Sequence, residues 1–236
     1  IYNGPPTAGT RSTLNDTTVF INSSVFNDSS NYNAYVGYMY GSPNSTTYED
    51  EHKNTNSSKI KTTLEEWYAT NLLKYSDYIE DAIYCNNRKT YEFTINNVKY
   101  STSGYGNLNT GYLSKYNDGI KEKPSLDCTN VNDRFTVSKK LNTYPIGLIT
   151  ADEAMFIGNK ETTSTTTYLD NNNAYWTMTP AYFNGTNAYN YVIKGNNLKT
   201  LSTSTSAGVR PVITIKNSVK LLGGNGSEST PYIITK

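Results

Sequence analysis

The chain has 236 residues, a net charge of +1, and only 17% charged residues beside 36% hydrophobic ones. Without a basic surplus or a basic stripe it does not read as a nucleic-acid binder. Its 22 Tyr, 6 Phe and 2 Trp supply large apolar surfaces for a core, which argues against a disordered chain. No run approaches the roughly 18 apolar residues that span a bilayer.

Residues 1–18, punctuated by Gly4, Pro5, Pro6 and Gly9, read as an extended leading segment, and 19–236 as a single domain. The start at Ile1 rather than Met fits a processed chain. Residues 19–26 and 34–40 are strand-like, and 42–56 read as a polar loop carrying the one histidine, His52. Ile60, Leu64, Trp67, Tyr68 and Leu72 recur at helical spacing, so a helix is expected over 58–73, capped by Asn56 or Ser57. Glu65 and Glu66 fall off the apolar stripe of that helix. A shorter helical piece is expected at 77–83.

Residues 91–100 read as a hairpin turning at Asn96-Asn97, followed by a long Gly/Asn-rich loop over 101–133. Residues 145–149 form a short apolar strand, and Thr150 with Glu153 makes a capping box for a helix over 151–157. A polar loop spans 159–173. The last third reads as β: a strand at 175–179, a hairpin of 188–194 with 198–203, a strand at 209–216, and a final pair of 219–222 with 232–235. Pro211 lacks an N–H, which places the 209–216 strand at an edge or a bulge.

Cys85 and Cys128 are too few for a disulfide scaffold and match no zinc spacing. They are expected to form one bridge over a loop of about 43 residues, stabilising the fold by ~4 kcal/mol in the chain-entropy view; the alternative is two buried thiols.

The inventory of reactive groups is thin. His52 follows Glu49-Asp50-Glu51 and reads as part of a solvated turn rather than a catalytic base. The adjacent carboxylates Glu65/Glu66, Glu80/Asp81 and Asp152/Glu153 are explained by helix surfaces and caps. Asp170-Asn171-Asn172-Asn173 offers oxygens suited to calcium but lacks EF-hand spacing, so no metal and no cofactor are expected. A segment of rings beside amides, containing Tyr182, Phe183, Asn184, Asn187 and Asn190, is the candidate ligand-binding set, because rings stack and amides hydrogen-bond. The competing reading is a turn whose aromatics belong to the core.

The run Ala174-Tyr175-Trp176-Thr177-Met178-Thr179-Pro180, a hairpin, and then Gly208-Val209-Arg210-Pro211-Val212-Ile213 resembles the C-terminal signature of C-type-lectin-like bacterial surface domains. These are related to the formylglycine-generating-enzyme fold and to variable proteins of diversity-generating retroelements. Tyr35-Val36-Gly37-Tyr38-Met39-Tyr40-Gly41, Trp67-Tyr68, Cys85-Asn86-Asn87-Arg88, Asn132-Asp133-Arg134-Phe135 and Tyr144-Pro145-Ile146-Gly147-Leu148 resemble an uncharacterised family of secreted proteins from gut-associated bacteria.

The resemblance implies an α+β, C-type-lectin-like fold with two helices, antiparallel hairpins and long loops. It assigns Trp176 to the core, Arg210 to tying strands together, and 181–206 to the variable contact face. No Cys follows Cys128, so the oxidase chemistry of formylglycine-generating enzymes is not expected. The calcium-holding Glu-Pro-Asn tripeptide of sugar-binding lectins is missing too. The expected function is a non-catalytic, extracellular bacterial surface domain for adhesion, binding a glycan or protein ligand. The alternative is a pilin-like subunit that contacts identical subunits in a filament.

Overall fold

The structure, a computed structural model, describes Thr17 and residues 19–89, 92–95, 98–101, 124–159, 167–225 and 229–235. It is α+β, with a few short helices and mostly small antiparallel sheets. The exception is a five-stranded sheet. Its strands are β1 (Asn22–Ser24), β2 (Asn171–Phe183), β3 (Ala188–Gly195), β4 (Asn197–Ser202) and β5 (Ala207–Val209), in the spatial order β1-β5-β2-β3-β4. Its pairings are antiparallel except β2 with β5, which run parallel where Tyr175 meets Gly208.

Both faces of this sheet are covered, so β2 and β3 send alternate side chains into two cores. Trp176, Met178 and Val192 join Phe26, Tyr38, Ile60, Leu64, Tyr68 and Phe135 on one side. Tyr175, Tyr191 and Ile193 join Ala151, Ala154, Leu169 and Leu198 on the other. The indole N–H of Trp176 donates to Ser24 O at 2.8 Å, fastening edge strand β1 from beneath. Arg210 is buried; its guanidinium lies 5.4 Å from the Tyr175 ring, and its Nη1 reaches Leu169 O and the Tyr175 hydroxyl, each at 3.4 Å.

Among the described residues, three α-helices accompany the sheet: α1 (Tyr48–Glu51), α2 (Lys59–Asn71) and α3 (Ala151–Ile157). The apolar stripe of α2 enters the first core, and Ser58, one residue beyond the expected caps, accepts from Lys61 N at 3.2 Å. Glu65 is not a free surface carboxylate: it accepts from Lys61 Nζ at 2.7 Å and from Thr143 N at 2.6 Å, holding the 143 loop to the helix. The capping box at Thr150 and Glu153 forms as expected.

Elsewhere the expected strands shorten. Residues 34–40 become a 3-10 turn, Asn33–Val36, followed by the two-residue strand Met39–Tyr40. Residues 77–83, expected as a short helix, instead hold the end of another 3-10 turn, Leu73–Tyr78, and the strand Ile79–Glu80. The segment 209–216 breaks into β5, Pro211–Val212 and Thr214–Ile215, each with a different partner strand. Glu92–Ile95 pairs with Val98–Ser101 as a hairpin, whose turn at Asn96-Asn97 lies outside the described residues, as does 1–16.

With so little continuous sheet, buried side chains satisfy many loop carbonyls. Arg88 donates from Nε to Asp133 Oδ1 at 2.7 Å, from Nη1 to Met39 O at 2.7 Å, and from Nη2 to Asn132 O at 2.8 Å. Asn86 accepts from Tyr38 N at 2.8 Å and donates to Met178 O at 2.7 Å. Next to this knot, Cys85 and Cys128 form a disulfide, and Cys85 pairs with Arg134 across a two-stranded ladder.

Four buried side-chain atoms have no partner among the described residues: the hydroxyls of Tyr38 and Tyr68 and the Oδ1 atoms of Asn142 and Asn190. The Tyr38 ring meets Phe135 edge-on at 5.1 Å, but its hydroxyl is buried with no partner among the described residues. An unpaired buried hydroxyl costs ~1–3 kcal/mol of desolvation. Tyr38→Phe keeps the ring contact and removes that cost, so urea unfolding of the variant is expected to show a gain of ~1 kcal/mol. A loss of similar size would mean that the hydroxyl is satisfied, for instance by a trapped water.

Candidate functional site

The five residues expected to bind a ligand do not form one open patch. Asn184 closes the β2–β3 connection: its Oδ1 accepts from Thr186 N at 3.0 Å and from Asn187 N at 2.8 Å. This geometry suits the positive φ of Gly185 between them. Asn187 Oδ1 accepts from Ser30 Oγ at 2.8 Å. Asn190 does not reach the surface at all; it is fully buried and donates to Val36 O at 3.2 Å. Tyr182 is half-buried and stacks on Tyr189 with ring centroids 4.7 Å apart. Phe183 packs beside Val36 and Ala188. Within this set the amides shape the turn and the rings mostly pack.

His52 is also placed differently from the sequence reading. It is 2% exposed, at the end of α1, with its ring 3.5 Å from that of Tyr48 and its Nδ1 2.8 Å from Tyr48 O. Burial, reinforced by the Arg88 guanidinium, pushes its pKa down to about 3. Its neighbour Glu51 is buried too. Burial pushes that carboxyl up to about 7, opposed by the hydrogen bond from Asn33 Nδ2 at 3.0 Å. The neutral imidazole is buried against the Tyr48 ring. Among the described residues, no three His, Cys, Asp or Glu side chains are grouped to hold a metal. At 170–173, Asp170 is buried and accepts from Thr167 N at 3.0 Å and Asn159 Nδ2 at 3.1 Å.

A different arrangement has the marks of a recognition surface. An open groove of about 430 Å³ crosses the five-stranded sheet at β1, β5, the start of β2 and the end of β3. The buried Ala207 and Gly208 and the half-buried Ala174 and Phe20 form its apolar part. Thr17, Asn22, Ser23, Asn172, Asn173, Lys194 and Ser206, all exposed, line the rest. The size lies within the range of small-ligand sites.

The groove differs from the turn in one respect. The side chains of Asn22, Ser23, Lys194 and Ser206 make no hydrogen bond or ion pair among the described residues. Their donors and acceptors are therefore available to a ligand. Sequence reading missed Phe20, Asn22 and Ser23, which come from strands far apart in the chain and carry no local motif. Lys194 and Ser206 do fall in the 181–206 stretch named as the contact face.

No protein-family model, curated protein or solved structure matches the chain. Among the described residues, no helix is long and apolar enough to cross a membrane. The Cys85–Cys128 bridge is compatible with an extracellular, oxidising setting.

The buried pair Glu51 and His52 gives a signed pH dependence. A carboxyl raised from 4.5 to about 7 contributes stability that is complete below pH 4.5 and lost as pH rises through 7. An imidazole lowered from 6.5 to about 3 contributes stability present above pH 6.5 and lost as pH falls through 3. The two slopes oppose each other between 4.5 and 6.5, leaving the Glu51 slope alone from 6.5 until it ends near 7. Thermal unfolding is therefore expected to show a midpoint that declines between pH 6.5 and about 7 and levels off beyond, and Glu51→Gln should flatten the decline. An unchanged slope in that variant refutes the assignment.

Proposed function

We propose that this chain is a non-catalytic extracellular binding domain of a bacterial surface, C-type-lectin-like in architecture, that adheres to a glycan or protein ligand. The observation that carries this reading is the contrast between its polar groups. The groove side chains of Asn22, Ser23, Lys194 and Ser206 make no hydrogen bond or ion pair among the described residues, whereas the potentially reactive His52 and Glu51 are buried. Flat or shallow faces built from amides, hydroxyls and a ring recognise partners with little charge, because amides and hydroxyls both donate and accept and the ring stacks. The disulfide supports an exported setting. The order of strand β2, hairpin and Val-Arg-Pro supports the lectin-like architecture, with Trp176 and Arg210 as frame.

The test is binding of the whole chain to a glycan array and to mucin-coated surfaces. Wild type is expected to bind, Asn22→Ala with Ser206→Ala to bind about tenfold more weakly, the loss of one or two hydrogen bonds, and Tyr182→Ala to bind like wild type. No binding by wild type, or full binding by the double variant, removes the reading.

A second reading, a pilin-like subunit of a filament, draws on a separate observation. The hairpin of Lys220–Gly223 with Ile233–Thr235 exposes Leu221, Leu222, Ile233 and Ile234, and Tyr232 beside them is exposed as well. Exposed apolar side chains gathered on one small hairpin are a feature of association sites. Sedimentation velocity at rising concentration is expected, on this reading, to show self-association that Leu222→Lys abolishes. A chain that stays monomeric at its solubility limit rules the filament out.

A further inference from the structure

The groove carries information about the ligand's charge. Among the described residues, Lys194, exposed on β3, is the one ionisable residue lining the groove, and no carboxylate lines it. Nor does any carboxylate of the described residues pair with Lys194; the ion pairs elsewhere are taken by Lys53, Lys61 and Arg88. In a chain with 21 basic and 20 acidic residues, a recess whose described lining holds one ammonium and no acid has a definite electrostatic preference. Opposite the polar rim, Phe20 lies against Gly208, where an added Cβ would stand 2.7 Å from the ring. A ring beside a floor of Ala174, Ala207 and Gly208 suits the C–H face of a pyranose, and Asn22, Ser23 and Ser206 suit its hydroxyls.

Resting on the reading of the groove as the binding face, we propose that it takes a glycan residue bearing a carboxylate, an acidic sugar of the uronic or sialic type, with Lys194 as the partner of the carboxylate. An ammonium–carboxylate hydrogen bond is stronger than its neutral counterpart. Lys194 therefore sets a preference for acid over neutral sugar, while the amide and hydroxyl contacts serve both.

The experiment is titration calorimetry of the whole chain with four probes: digalacturonate, its methyl ester, sialyllactose and lactose. The ester keeps the shape of the uronate and removes its charge; lactose does the corresponding job for the sialylated sugar. At least one acid is expected to bind about tenfold more tightly than its neutral counterpart, with an advantage that shrinks as salt is raised. Lys194→Gln is expected to abolish that advantage, and Lys199→Gln, exposed on β4 outside the groove, to keep it. Which acid binds separates the uronic from the sialic source. Equal binding of acid and neutral sugars, or a preference that survives Lys194→Gln, overturns the proposal. If those neutral interactions still weaken in the Asn22→Ala, Ser206→Ala variant, the binding reading stands without it. Failure of all four probes overturns the acidic-sugar assignment, and array binding then decides the broader reading on its own.

Discussion

The Arg88–Asp133 ion pair is the constraint around which the irregular part of this molecule is arranged. Both partners are buried, and Arg88 shares its remaining donors among Met39 O, Asn132 O and Asn54 Oδ1. Removing either member would strand a charge in the interior, a loss of ~3–5 kcal/mol. Its geometry explains how segments that never form a long ladder hold together. Strands of two residues cannot satisfy the loops around them, so a planar cation reaching three segments does the work of several ladder bonds. Asn86 extends the same principle to the central strand through Met178 O. The covalent bridge at Cys85 fixes the approach of the chain to this knot from one side.

A division of labour among polar residues follows. The composition is low in apolar residues, yet the two cores on either side of the sheet are dense with rings and branched chains. Polar residues therefore act in two ways. Asn86, Asn159, Asp170, Thr177 and Asn190 are buried and hold backbone in place. Asn22, Ser23 and Ser206 are exposed and make no such bonds. The same residue types serve as buried framework and as exposed, unengaged surface, and burial distinguishes the two.

That ambiguity is why the sequence revealed some parts and hid others. Helices α2 and α3 were legible because Ile60, Leu64, Tyr68 and Leu72 repeat at helical spacing and because Thr150 and Glu153 form a local capping pair. The β3–β4 hairpin was legible from its turn residues, Gly195 having the positive φ that favours glycine. Residues 34–40 read as a strand from their aromatic and β-branched content, but Asn27 and Asn86 claim the carbonyls of 35 and 36, and the chain turns instead. His52 looked solvated because its neighbours are acidic; nothing local announces that Tyr48 covers its ring. The groove was illegible for a topological reason: β5 inserts between β1 and β2, joining residues nearly two hundred positions apart.

The contact between Phe20 and Gly208 has a consequence for how such a surface diversifies. Position 208 stands opposite Ser23 in β1 and Tyr175 in β2, so its backbone is committed to the sheet, yet its missing side chain leaves the space that Phe20 occupies. A methyl group there would displace the ring outward and narrow the recess while leaving the strand order untouched. The capacity of the recess is thus governed by an omission, and single substitutions at its small floor positions can retune what fits without redesigning the scaffold.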